Sequence, residues 1–166
     1  MRRCQLQGPN TRWLLCILLA LLSLGVAAHG EKEEQQESSS LFSGLDSPAG
    51  KTVESFHRAL RSGNREGVLH ALADNVVIFE GGKVERSRAE YASHHLEADM
   101  RFLQQVQATQ LELQVTESRE LAYSYGRSRL QGSYEGKALD LESMETLVLK
   151  RVGQEWKIVQ VHWSSK

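Results

Sequence analysis

The hydrophobic residues of this chain change their period near Thr109, and few architectures accommodate that change in this order. Upstream, Val53, Phe56, Ala59 and Leu60 recur at helical spacing, and Val68, Leu69 and Leu72 do so again after the break at Ser62-Gly63-Asn64. Downstream, Leu111, Leu113 and Val115 alternate with Gln110, Glu112 and Gln114, the two-residue period of a half-buried strand. Segments 121–130, 138–151 and 155–164 continue as strands between turns containing Glu, Gly or Lys. A run of helices followed by a run of antiparallel strands, with no βαβ alternation, predicts an α+β fold with its helices on one face of a curved sheet.

The middle of the chain carries most of its chemistry. Val76-Val77-Ile78-Phe79 reads as a strand, Gly81-Gly82 as a turn, and residues 84–86 as a brief returning strand. Ser87, with Glu90 three residues on, forms a capping-box pattern that predicts one helix over 87–106. At about 100° per residue, Ala89, Ala92, Leu96, Met100 and Leu103 gather on one face of that helix. His95 and Asp99 share a shoulder of this face, with Tyr91 and Phe102 just beyond. His94 points nearly the opposite way, among Glu90, Glu97 and Arg101, so the two adjacent histidines are expected to do different jobs.

Residues 1–28 read as a secretory signal peptide. Arg2, Arg3 and Arg12 form a basic leader, residues 13–26 are almost continuously apolar, and Val26-Ala27-Ala28 offers small residues for cleavage. The polar segment 29–47, with its run Glu31 to Ser40, reads as a linker, and 48–166 as a single domain. Both cysteines, Cys4 and Cys16, fall inside the leader, so a processed chain has neither a disulfide framework nor thiolate ligands. Cleavage leaves 17 basic residues against 21 acidic ones, a net charge of −4. That balance argues against a nucleic-acid partner. The expected location is therefore exported, periplasmic or secreted, with no membrane attachment after cleavage. No P-loop, dinucleotide glycine pattern, nucleophile elbow or HExxH zinc helix occurs.

Several stretches resemble one family. They are Phe56-His57-Arg58-Ala59-Leu60 with Gly63, Leu72-Ala73-Asp74-Asn75-Val76, and the closing run from Gly153-Gln154-Glu155-Trp156 to Trp163-Ser164. Together and in this order they are similar to the SnoaL-like branch of the nuclear transport factor 2-like superfamily, over about Pro48 to Lys166. Glu80, Glu85, Ser87, Glu90-Tyr91, His94-His95 and Asp99 resemble a secreted bacterial subgroup of that branch. The resemblance implies a cone, in which a bent antiparallel sheet wraps a long helix and leaves an apolar pocket at its wide end, often in a homodimer. Its members include isomerases, cyclases, dehydratases and non-catalytic binding modules, so the fold alone does not imply an enzyme.

Within such a pocket the expected ligand is a small, largely apolar molecule, met by His95, Asp99, His162, Glu80 and Phe102. The leading expectation is a binding domain that needs no cofactor. The alternative is a lyase or isomerase in which His95 transfers a proton, Asp99 orients it and Tyr91 donates a hydrogen bond to a substrate oxygen. A purely structural reading has His95 and Asp99 bonded to each other across one helical turn. A further alternative is a divalent metal held by nitrogen and oxygen ligands drawn from His95, Asp99, Glu80, Glu85, His94 and His162. Whether His162 reaches the pocket depends on strand parity: it does if Trp156, Ile158 and Gln160 face inside, and does not if Val159, Val161 and Trp163 do. Tyr123 and Tyr125 suit either pocket lining or a dimer surface, and His57 and His70 are given no role.

Overall fold

The structure is a computed structural model that describes residues 41–166. The described residues belong to one compact unit, Ser39–Lys166. The expected signal peptide, and the linker as far as residue 40, lie outside the described residues.

Helix α1, Pro48–Ser62, begins at Ser47, whose hydroxyl accepts the Gly50 N–H at 3.0 Å, with proline at the first helical position. The Glu117 carboxylate takes a second free N–H, that of Ala49, at 2.7 Å. At the other end Gly63 adopts φ 69°, a left-handed cap that a side chain would strain. Val53, Phe56, Ala59 and Leu60 are buried, as their spacing predicts. Full burial of a side chain the size of Phe56 contributes about 1.5–3 kcal/mol. Helix α2, Arg65–Ala71, follows with Asn64 as its cap and Val68 and Ala71 buried.

Strand β2, Leu72–Glu80, turns at Gly81 and Gly82 (φ 54° and 76°) into β3, Lys83–Glu85. Two consecutive positive φ angles suit a tight hairpin turn, which is why two glycines stand there. The helix expected over 87–106 is divided into α3, Arg88–His94, and α4, Leu96–Gln105. His95 is the joint, at φ −115° and ψ −30°. Its ring is bonded to Glu85 of β3, a tertiary contact that helical periodicity does not encode. Ser87 accepts the Glu90 N–H at 3.0 Å, while Glu90 reaches back to the N–H of Arg86 rather than to that of Ser87. Val106, expected to end the helix, instead begins a strand.

The long strands are β4, Val106–Glu117; β5, Leu121–Tyr134; β6, Lys137–Val152; and β7, Glu155–Ser165. A two-residue strand, Phe42–Ser43, here β1, pairs parallel with β4, drawing part of the expected linker into the domain. The sheet order is β1-β4-β5-β6-β7-β2-β3. β4 to β7 pair antiparallel in sequence, and β2 joins β7 in parallel. This is the expected α+β architecture, with four helices gathered against a curved sheet. The core lies between them, around Phe56, Leu72, Val76, Tyr91, Leu96, Leu147, Leu149, Ile158 and Val161.

One irregularity decides which side chains face inward. Val148 pairs with Gln160 and Leu149 with Ile158, so Val159 is an extra residue in β7. Trp156 and Ile158 are buried before this bulge and Val161 after it, because the parity switches. Neither of the two parities weighed for β7 holds along its whole length. Trp163 consequently joins the inward face.

Candidate functional site

A cavity of about 1060 Å³ opens between the helices and the concave side of the sheet. Its lining is mostly apolar, with Leu60, Phe102, Leu103, Leu130 and Leu141 prominent, and it carries two polar groupings. Residues 57, 61, 98, 99, 102 and 103 reach it from the helices. Residues 79–84 border it from the β2–β3 hairpin, and the inward parity of β5 and β6 supplies Ser128, Ser143 and Glu145.

The first grouping is acidic. Glu80 ends β2 on the cavity wall, and Asp99 approaches from α4. The hydroxyl of the fully buried Tyr91 donates to Asp99 Oδ2 at 2.8 Å. Glu85, only 6% exposed, bonds His95 Nδ1 through Oε1 at 2.5 Å. Glu80 is exposed to the open cavity and not sealed in the core; the partial desolvation of its carboxyl there, followed by repulsion from Asp99 and a smaller push from Glu85, raises it from 4.5 to about 7, although His95 draws it back somewhat. Burial also raises Asp99; the Tyr91 bond and the charge of His95 oppose that rise. Tyr91 is pushed up by burial and by the carboxylate it faces, so it stays a hydroxyl donor at any working pH. The wall therefore offers a carboxyl group able to gain or lose a proton near neutrality, beside a fixed donor–acceptor pair.

The second grouping is His57, Glu145 and Trp163. His57 Nε2 lies 2.7 Å from Glu145 Oε1, and Trp163 Nε1 donates to Glu145 Oε2 at 2.7 Å. Burial pushes the Glu145 carboxyl up, but the His57 charge and bond, with the Trp163 bond, outweigh it and hold the group below its ordinary value. The Trp163 indole stacks on Phe56, with ring centres 6.2 Å apart and planes within 5°, which fixes the donor in place.

The expected site residues separate in space. Glu80, Asp99 and Phe102 line the cavity. Phe102 is held edge-on to Tyr134 at 5.1 Å. His95 and Asp99 do not bond each other through their side chains: His95 pairs with Glu85 and Asp99 with Tyr91. The backbone keeps the i, i+4 bond from Asp99 N–H to the His95 carbonyl at 3.0 Å, so the two residues remain one turn apart, but each side chain is taken by another partner. His162 borders the cavity at its rim, edge-on to its cross-strand neighbour Phe79. His94 is exposed, as expected, with its ring 6.4 Å from that of His95.

The expected metal set does not assemble. Among the described residues no three His, Cys, Asp or Glu side chains converge as a metal ion requires. His95 Nδ1 and Asp99 Oδ2 are already taken up by Glu85 and Tyr91. His57 and Glu145 were missed as site residues. The available signal was Glu145, a carboxylate on the strand parity that otherwise carries Leu141, Leu147 and Leu149.

Comparison with known proteins agrees with this architecture. The family model of the SnoaL-like domain matches residues 50–166. A solved structure from Shewanella frigidimarina, provisionally named a ketosteroid isomerase, is 50% identical, with a TM-score of 0.71, over 73% of this chain and 98% of that one. A nuclear transport factor 2-like protein of unknown function from Pseudomonas putida is 20% identical, with a TM-score of 0.58, over 82% and 87% of the two chains. A Nostoc punctiforme protein with a cystatin-like fold is 9% identical, with a TM-score of 0.61, over 75% and 94%. The last two support the fold alone. No curated protein matches the chain. With the matched region covering most of its length and nearly all of the described domain, the chain belongs to the SnoaL-like domain family of the nuclear transport factor 2-like superfamily.

Proposed function

We propose that the domain takes up a small, largely apolar molecule in its cavity and exchanges a proton with it through Glu80, without a cofactor. The observation that carries this reading is the placement of Glu80 on an apolar cavity wall beside Asp99, with Glu85 close behind. Partial desolvation and then the neighbouring carboxylates disfavour its ionised form, so it can hold or release a proton near neutral pH, as a general acid or base must. Asp99, oriented by Tyr91, is positioned to polarise the same ligand. His95, half-exposed and bonded to buried Glu85, balances the negative charge of the cluster. A carbon acid next to a carbonyl is the substrate class that such a wall serves, in keeping with the provisional name of the Shewanella relative.

Replacing Glu80 with Gln and following deuterium uptake into cyclic ketones tests the catalytic part of the proposal. If the wild-type protein binds such ketones without promoting uptake, the domain is a binding module and Glu80 only a polar contact.

The same proposal includes a homodimer through the outer face of the sheet. Tyr123 and Tyr125 of β5 are 46% and 41% exposed there, and Met144 of β6 is 46% exposed. Large apolar side chains grouped on one sheet face favour a protein partner. Export rests on the leader pattern of residues 1–28 and predicts a processed chain beginning at His29. No helix among the described residues is long and apolar enough to cross a membrane.

A further inference from the structure

The register of the sheet sets four hydrogen-bonding side chains side by side along the cavity. Gln110 of β4 stands opposite Ser128 of β5, Ser128 opposite Ser143 of β6, and Ser143 opposite Ser165 of β7. All four border the cavity. The direction of the two central serines follows from strand parity. Ser128 lies two residues from each of the buried Gly126 and Leu130, and Ser143 shares the parity of Leu141 and of the buried Leu147. Both therefore stand on the concave face, beside an apolar row made of Ala108, Leu130 and Leu141.

The protein leaves this row free to bond a ligand. Both amide hydrogens of Gln110 go to backbone carbonyls at the β4 bulge, that of Glu112 at 2.7 Å and that of Arg127 at 3.1 Å, so its oxygen remains an acceptor. Among the described residues the hydroxyls of Ser128 and Ser143 have no hydrogen-bond partner. Neither is sealed, since Ser124 Oγ is the buried side-chain atom left alone there. Each can both donate and accept.

On the other side of the row, Gly126, Glu145, Trp163 and Glu80 follow one another across the sheet. Glu80 thus stands two strands from Ser143 and one side-chain step along. At about 4.8 Å between strands and about 7 Å per two-residue step, they lie roughly 12 Å apart along the sheet. A molecule of two fused rings bridges that gap with one contact at each end.

We propose that Ser128 and Ser143 bind a hydroxyl group at the far end of the ketone whose carbon acid meets Glu80. The ligand class narrows to rigid, uncharged hydroxyketones of about two fused rings. This rests on the proposed function of the cavity, and it makes the two serines specificity residues. No cation stands in the row and the Glu80 end is acidic, so a carboxylate in place of the hydroxyl is disfavoured.

Three ketones that differ only at the end remote from the carbonyl test this: 6-hydroxy-, 6-methyl- and 6-carboxy-2-tetralone, titrated at pH 7 into wild type and Ser128→Ala/Ser143→Ala. A hydroxyl buried without a partner loses to a methyl group, because its desolvation goes uncompensated. Wild type is expected to bind the hydroxy ketone about tenfold more tightly than the methyl ketone, the worth of one or two neutral hydrogen bonds. In the double variant the order reverses, and each single variant falls between, which keeps the reading available if the double variant fails to fold. A wild-type preference for the methyl or carboxy ketone, or a hydroxyl advantage of unchanged size in the variants, overturns the proposal. If none of the three binds wild type, the cavity reading falls and the serine contact falls with it. If the methyl ketone binds as well as the hydroxy ketone, only the serine inference falls.

Discussion

The Tyr91 hydroxyl donates to Asp99 Oδ2 at 2.8 Å across the joint between α3 and α4, tying together two helices that helical periodicity merges into one. Tyr91 is fully buried, so this bond has no solvent substitute. Replacing Tyr91 with Phe removes the donor and leaves a carboxyl oxygen short of a partner. The expected loss is about 1–3 kcal/mol of stability, read from chemical denaturation at pH 7. With the lowering influence of Tyr91 gone, the Asp99 titration should also move upward. Unchanged stability and an unchanged titration would show that the bond contributes nothing to the joint.

Glu80 makes stability depend on pH in a direction opposite to that of most carboxylates. Its folded value, about 7, lies above its ordinary value of 4.5, so between these limits the folded chain binds a proton that the unfolded chain has released. Its contribution is fully present below 4.5 and is lost as pH rises through 7. Glu80→Gln should therefore melt higher than wild type at pH 8, and the two should converge near pH 4. A variant that melts lower than wild type at pH 8 would contradict the sign.

Ser124 is fully buried, and its hydroxyl lacks a partner among the described residues. It pairs with Leu147 on one side and Val115 on the other, in the apolar part of the core. Ser124→Ala removes an unsatisfied oxygen while leaving little void, and should stabilise the domain by about 1 kcal/mol in a denaturation series. A loss of similar size would mean that the hydroxyl is satisfied in solution.

The outer sheet face offers a test of assembly. Tyr125→Glu places a charge among Tyr123, Met144 and their neighbours without touching the cavity side of β5. Sedimentation should show a dimer for wild type and a monomer for the variant. A wild-type monomer at high micromolar concentration would remove the dimer from the account.

The fold was legible because its signals are local. The period change near Thr109, the Gly63 cap and the Gly81-Gly82 turn each depend on residues close in sequence, and each appears where expected. The site was legible only in part, because its bonds cross between elements. The His95 ring finds Glu85 in β3 instead of Asp99 one turn away, a contact that crosses between elements. His57 and Glu145 are 88 residues apart, so nothing near either residue announces the pair. The Val159 bulge moves Trp163 to the inward face, where its indole meets Glu145, and a single extra residue in a strand leaves no mark in an alternating pattern.

Deuterium uptake from solvent into a cyclic β,γ-unsaturated ketone, followed by mass spectrometry with wild type and Glu80→Gln at pH 7, tests the central claim most directly. The account predicts uptake catalysed by wild type and reduced at least about a hundredfold in Glu80→Gln, the usual worth of a positioned proton-transfer group, with the melting temperature no lower than that of wild type. Equal uptake in the two proteins would contradict it, because the proton would then pass through a group other than Glu80.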